Sequence, residues 1–379
     1  MIFNKKKVKN NNEKSIKNYY FDSKNQSLWS DFSYTSLAKN GFLSNVIANR
    51  CINLISQCVA SINLLVYDEN GVEIENQDIN KLLSNPNKNM SKSDFLQSMV
   101  KNLLISGNCY IKSTADSNDK ISEMLVLRPD KISALVDNQN NIIQYLYNNE
   151  QLSEMFDVNV SNGKDDILHI KYFNPIDDIY GLSPLYTARF SIDQYNEAIA
   201  WNKALLQNGA RPSGALVVDS SQNDLTDEQF DRLRNQLQGD FTGSKAAGKI
   251  MILEGGLKWQ EMSISPKDMD FIETKHSAAR DIALAFGVPS NLMGIPGDNT
   301  YSNLAESRVA LWEETIVPLA EMLLSRLSFY INSYNQTNIK IVVDLDSISS
   351  LSEKRYQVWQ YLNNANFLTN EEKRKILGF

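Results

Sequence analysis

The sequence predicts an α+β fold in which a domain of short strands gives way to long helices. Three observations carry that prediction. Short apolar runs separated by turn signals fill residues 109–173. Two Ser-Pro pairs, Ser183-Pro184 and Ser265-Pro266, each set a capping hydroxyl before a proline at the first helical position. Between the two helices they open lies a stretch with strand, helix and hairpin signals of its own.

Composition bounds the function. With 379 residues, 42% of them hydrophobic, the chain can bury more than one domain's core. Its net charge is −7, whereas proteins that grip nucleic acid through phosphates carry a basic excess. Any DNA contact is therefore expected to be loose. Met1 to Lys17 is basic and Asn-rich but lacks the apolar run of a signal peptide. No stretch approaches the ~20 consecutive apolar residues of a membrane span. Cys51, Cys58 and Cys109 make an odd count without a secretory signal, which fits a reducing compartment and no disulfide framework.

Along the chain, residues 1–40 show no period and read as a flexible arm. Leu43 to Ala60 fits a partly buried helix. A strand pair follows, Ile62–Tyr67 and Val72–Ile74, around the turn Asp68-Glu69-Asn70-Gly71. Ser93 is expected to cap a helix that runs to Ile105 and stops at Gly107. Strands are expected at 109–112, 124–127, 132–136, 142–147 and 167–173. The helix from Ser183 reaches Asn208, with Leu185, Ile192, Ile199 and Leu206 repeating every seven residues as a packing seam. Then come a strand at 215–218, a helix from Thr226 to Leu237 with a capping-box start, and strands 249–253 and 257–262 about Gly255-Gly256. The second long helix ends near Phe286. Gly287 to Ser302 is a loop without Lys or Arg, and Asp298 is its only charge. A third helix follows to Ile331, and Pro318 is expected to kink it. One more strand, 339–345, returns to the first domain, and Thr369 caps a short last helix.

Several of these segments resemble phage portal proteins of the short, siphovirus-type branch. They are Ile179-Tyr180-Gly181-Leu182-Ser183-Pro184-Leu185, Asn208-Gly209-Ala210-Arg211-Pro212-Ser213-Gly214, Leu225-Thr226-Asp227-Glu228-Gln229, the run Gly248 to Gly256, Phe286-Gly287-Val288-Pro289, Leu292-Met293-Gly294 and Asn299-Thr300-Tyr301-Ser302-Asn303. Their order, over roughly residues 40–350, carries the resemblance. It implies a dodecameric ring built from a wing (41–182, with a return strand at 338–346), a first stem helix (183–212), a clip (213–262), a second stem helix (263–286), a tunnel loop (287–302), a kinked wing helix (303–336) and a small crown (347–379). It implies passage of double-stranded DNA during packaging and ejection at one capsid vertex. The implied partners are the terminase large subunit, the major capsid protein and a head–tail adaptor. The implied location is the virion, after assembly in the host bacterial cytoplasm. The portal of a domesticated prophage or a gene-transfer particle fits the same resemblance.

The site residues follow from that layout. Asn291, Asp298, Asn299, Thr300 and Tyr301 are expected on the channel loop. Asp227, Glu228, Arg232, Lys249, Glu254 and Lys258 are expected on the clip, docking partners. Leu185, Ile192, Ile199 and Leu206 are expected to pack the stem. A polyanion must pass a channel without being held, and each neutralised phosphate adds affinity, so an acidic subunit with a loop free of Lys and Arg suits sliding DNA. The competing class is an enzyme, and its motifs are missing. There is no Gly-x-Ser-x-Gly elbow, and Gly243-Ser244-Lys245 and Gly248-Lys249 lack phosphate-loop spacing. His169 and His276 read as a strand residue and a stem-helix surface residue, and neither metal nor cofactor is expected.

Overall fold

The computed structural model describes residues 33–74, 77–149, 152–158, 164–207, 214–218, 228, 257–261, 271–296 and 301–377. The chain divides into two compact units, Met1–Phe190 with Arg280–Phe379, and Ser191–Ala279.

In the larger unit the helical backbone starts earlier than the sequence suggests. Ser33 caps a turn at Tyr34–Ser36, and a wide π-type turn covers Leu37–Leu43. The rest of the expected arm, 1–32, lies outside the described residues. Helix α1 (Val46–Ser61) starts at Asn45, whose Oδ1 accepts from the N–H groups of Ile47 and Ala48. Ala48, Cys51, Ile52, Ile55 and Val59 form its buried face at helical spacing.

Strand β1 (Leu64–Tyr67) takes Lys340–Val343 as its antiparallel partner. The expected hairpin shrinks to one bridge, Tyr67 to Glu73. Its turn does form, with Asp68 Oδ1 accepting from the N–H groups of Asn70 and Val72. Val72 is nevertheless exposed, so the returning segment has no apolar face to pair with. Helix α2 (Gln77–Ser84) follows, unanticipated because it is short and mostly polar. Helix α3 (Lys92–Ser106) is capped by Ser91, not Ser93. Ser91 Oγ accepts from Asp94 N–H while Asp94 Oδ2 accepts from Ser91 N–H, which satisfies two donors reciprocally. Gly107, at φ +78°, ends the helix.

The strands are β2 (Asn108–Ala115), β3 (Ile121–Leu127), β4 (Ile132–Val136), β5 (Ile142–Asn149), β6 (Leu152–Asp157) and β7 (Ile167–Lys171). They form two antiparallel three-stranded sheets, β3-β2-β7 and β4-β5-β6. Tyr110, Leu127, Ile132, Tyr145, Phe156 and Tyr180 build a core that both sheets share. β6 completes the second sheet and was not anticipated.

The helix expected as the first stem helix begins as foreseen, with Ser183 Oγ accepting from Tyr186 N–H and Pro184 in the first turn. It is broken at Ala188, at ψ 0°, into α4 (Pro184–Thr187) and α5 (Arg189–Gln207). The smaller unit contains most of α5, the antiparallel ladder of β8 (Gly214–Val218) with β9 (Leu257–Glu261), and the start of α6 (Phe271–Ala285). Lys275 Nζ stands 5.5 Å above the Tyr195 ring, tying α6 to α5 there. The expected strand 249–253, its Gly255-Gly256 turn, the Ser265-Pro266 start and the helix from Thr226 lie outside the described residues, apart from helical Glu228.

The third long helix is interrupted. α7 (Tyr301–Leu311) passes through a π-type turn at Trp312–Ile316 into α8 (Val317–Asn335), with Pro318 in its first turn. Proline has no N–H to donate to the preceding turn, and the π-type turn just ahead of it leaves room for its ring. Strand β10 (Lys340–Val343) pairs with β1 as a separate two-stranded sheet. It is fixed to α8 by Ser328, whose Oγ accepts from Ile341 N–H and donates to Leu324 O. Helix α9 (Ser352–Asn364) was not foreseen. α10 (Asn370–Leu377) starts at Thr369, whose Oγ1 accepts from Glu372 N–H. Among the described residues no helix is long and apolar enough to cross a membrane.

Candidate functional site

The loop after α6 is built on a left-handed residue. Gly287 has φ +65°, and a Cβ there would sit 2.7 Å from Thr315 Oγ1, so glycine is required twice over. Thr315, in the π-type turn, donates its hydroxyl to Gly287 O at 2.6 Å. A 3-10 turn at Ser290–Met293 follows, and Met293 Sδ lies 3.5 Å from Cys51 Sγ on α1. Asn291 turns towards α7, with Nδ2 donating to Ser307 Oγ and, at 3.5 Å, to Asn303 O. Its Oδ1 is buried without a hydrogen-bond partner among the described residues. The first half of the loop is thus fastened to α1, α7 and the π-type turn. Asp298, Asn299 and Thr300 lie outside the described residues, and Tyr301 is the first residue of α7.

The four stem positions differ in environment. Leu185 is fully buried and packs against Gly41, and Ile192 is buried, but Ile199 is 38% exposed. The side chain of Leu206 lies outside the described residues. Ile192 and Ile199 lie on the same helix α5, so burial along the stripe changes within one helix and not at the break at Ala188. Of the clip positions, Glu228 is exposed and Lys258 stands opposite Val217 in the β8–β9 ladder. Asp227, Arg232, Lys249 and Glu254 lie outside the described residues.

The segment that leads into α4 is held by contacts the sequence reading missed. Gly107 and Gly181 approach so closely that a Cβ on either would strike the other's backbone. Asn108 bridges them. Its Oδ1 accepts from Gly181 N–H at 2.8 Å, and its Nδ2 donates to Ser106 O and, at 3.4 Å, to Gly181 O. That assignment leaves Oδ1 as the acceptor for His169 Nε2–H at 3.0 Å, so Nδ1 accepts from Tyr145 OH at 3.3 Å. The imidazole stacks on Tyr110 with centroids 4.3 Å apart. Burial first, and then the nearby cations Lys171 and Arg326, lower its pKa to about 3, so the ring is neutral. Only one signal pointed here, Gly181 inside the quoted Ile179–Leu185 motif. His276 sits on α6, half-buried, with Nδ1 3.9 Å from Glu273. Burial raises the thiol of Cys51 to about 12, and all three cysteines are free. Among the described residues no group of His, Cys, Asp and Glu is placed to hold a metal ion.

Residues 47–378 match the phage portal protein family. A protein of Rickettsia bellii is 45% identical over 340 residues, covering 89% of this chain and 88% of its own. The portal protein of Escherichia phage T5 is 26% identical over 343 residues, covering 87% and 79%. Among solved structures, a chain from the neck of an empty gene transfer agent (GTA) particle, computed with C6 symmetry, superposes with a TM-score of 0.72 at 37% identity. A chain from the native GTA neck, computed with C12 symmetry, gives 0.69 at 36%. Both comparisons cover 93% of this chain and 95% of the other. The chain belongs to the phage portal protein family.

Proposed function

We propose that this chain forms a closed ring, of twelve subunits in the particle, at one vertex of a capsid, through which double-stranded DNA is packaged and later ejected. The observation that carries the reading is the family match along almost the whole chain, joined to the likeness with a GTA neck chain computed with C12 symmetry. The clip, 213–262, docks the terminase motor first and a head–tail adaptor later, and the wing meets the major capsid protein. The subunit is structural, and ATP hydrolysis belongs to the motor. The ring assembles in the bacterial cytoplasm and ends in the particle. One observation favours a gene-transfer particle over a phage: identity is 36–37% to the GTA neck chains against 26% to the T5 portal.

The channel reading assigns the DNA-facing part of the loop to Asp298, Asn299, Thr300 and Tyr301. Asn291, turned towards α7, then serves as an anchor and not as a DNA contact. Asp298→Lys is expected to leave ring assembly intact. The change is multiplied around the bore, so DNA passage becomes slower and more dependent on salt. Packaging velocity measured against ionic strength, for mutant and parent particles, tests this. Identical velocities and identical salt slopes would remove the loop from the channel.

A further inference from the structure

A cavity of about 350 Å³ opens on the larger unit beside the start of α4. Its wall joins Tyr34 and Leu37, at the beginning of the described chain, to Pro129, Ile176, Tyr180 and Tyr186. These six are apolar or aromatic, and an apolar cavity of about 150 Å³ already admits a benzene ring. Asp177 and Arg189 are the charged members of the wall. Ile176 is 84% exposed, so the rim carries a large apolar side chain that the described residues leave uncovered.

We propose that this cavity seats the segment Trp29 to Phe32 of the same chain, with the Trp29 indole inside and Phe32 at the rim. Three observations favour that occupant. The chain enters the described residues at Ser33, one residue before the cavity wall begins at Tyr34. Trp29 is five residues from Tyr34, a reach of up to about 17 Å, so the indole is tethered close to the opening. Second, Ser33 caps the turn that follows, its Oγ accepting from Ser36 N–H. Phe32 is then the residue before the cap and Leu37 the fourth helical residue, the two positions that pack together as a hydrophobic staple. Leu37 is buried and belongs to the wall, so the staple brings Phe32 to the cavity. Third, six of the first 32 residues are aromatic, about twice the 9% of the whole chain, whereas segments that never pack are poor in aromatics. With this segment seated, the basic stretch Lys5 to Lys17 leaves the larger unit from a fixed point beside α4.

The test times maleimide labelling of the full chain at Ile176→Cys, on the rim, and at Phe173→Cys, which is 85% exposed in the same loop but outside the wall. Each is read in the parent background and in one that also carries Trp29→Ala and Phe32→Ala, with the buried Cys51 and Cys109 and the partly buried Cys58 common to both. Removing the two aromatic side chains is expected to speed labelling at Ile176→Cys at least about tenfold, by uncovering the thiol, and to leave Phe173→Cys unchanged. Equal rates at Ile176→Cys in the two backgrounds would overturn the inference. Faster labelling at both positions would overturn it as well, because that reports a loosened loop and not an emptied cavity. A benzoylphenylalanine introduced at position 29 then decides whose segment is seated. Ultraviolet light is expected to cross-link it to residues 174–189 within one chain, at monomer mass on a denaturing gel. A cross-link at dimer mass would give the cavity to a neighbouring copy, and the absence of any cross-link to the wall would leave it to another ligand. Either result overturns the inference.

Discussion

Gly181→Ala is expected to cost the larger unit roughly 3 kcal/mol or more, the size of a backbone-level overpacking with no side chain free to yield. The added Cβ would meet Gly107 O, and the backbone N and O of Tyr172 at 2.8 Å. Gly107→Ala should be at least as damaging. Its Cβ would lie 2.5 Å from Gly181 O, and its φ of +78° adds about 1–2 kcal/mol for an L-residue. Gly71 is the control: φ is +76° but nothing lies within 4 Å, so Gly71→Ala should cost only the dihedral term. Denaturant midpoints of the three variants measure the difference. A Gly181→Ala midpoint equal to the parent's would mean that the segment leading into α4 is not locked onto the end of α3.

The second large effect is acid sensitivity carried by His169. The unfolded imidazole takes up a proton near the ordinary value of about 6.5, while the folded one does so only near about 3. Between those values the unfolded chain binds one more proton. Stability therefore rises with pH in this window and is lost as pH falls from about 6.5 towards 3, at roughly 1.4 kcal/mol per pH unit at the full slope. Several carboxylates add to acid loss at lower pH, because Asp68, Asp94, Asp116, Asp137 and Asp346 are held below the usual range by hydrogen bonds. The window from about pH 6.5 to 5 isolates the imidazole. His169→Gln should flatten the stability slope there by about one proton, even though the variant is less stable overall. An unchanged slope would mean that the ring is not buried neutral against Tyr110 and Asn108.

Which of these features sequence alone reveals depends on how local the physics is. Ser183-Pro184 is a local signal, and it does start the helix. The Thr369–Glu372 box forms for the same reason. β4 has the bounds its apolar alternation suggests. The misses are of two kinds. α2, β6 and α9 have weak or polar patterns, and no residue of α9 is fully buried, so no strong single-chain pattern marks it. The clamps are invisible for another reason. Asn108 meets His169 across 61 residues and Gly181 across 73, and Thr315 meets Gly287 across 28. No spacing rule connects residues so far apart. The Pro318 signal does mark an irregularity, the π-type turn directly ahead of it. A polar loop residue such as Asn291 suits a channel, and its bond to Ser307, across 16 residues, is another contact that no spacing rule reveals.

The account's central claim is that copies of this chain close into a ring around a passage for DNA. Electron imaging of the purified full-length protein, averaged without imposed symmetry and paired with a mass measurement, tests it most directly. The account predicts closed rings with an open centre, whose mass is a whole multiple of the 43.0 kDa subunit. A stable monomer at high concentration, or a compact oligomer with no hole, would contradict it.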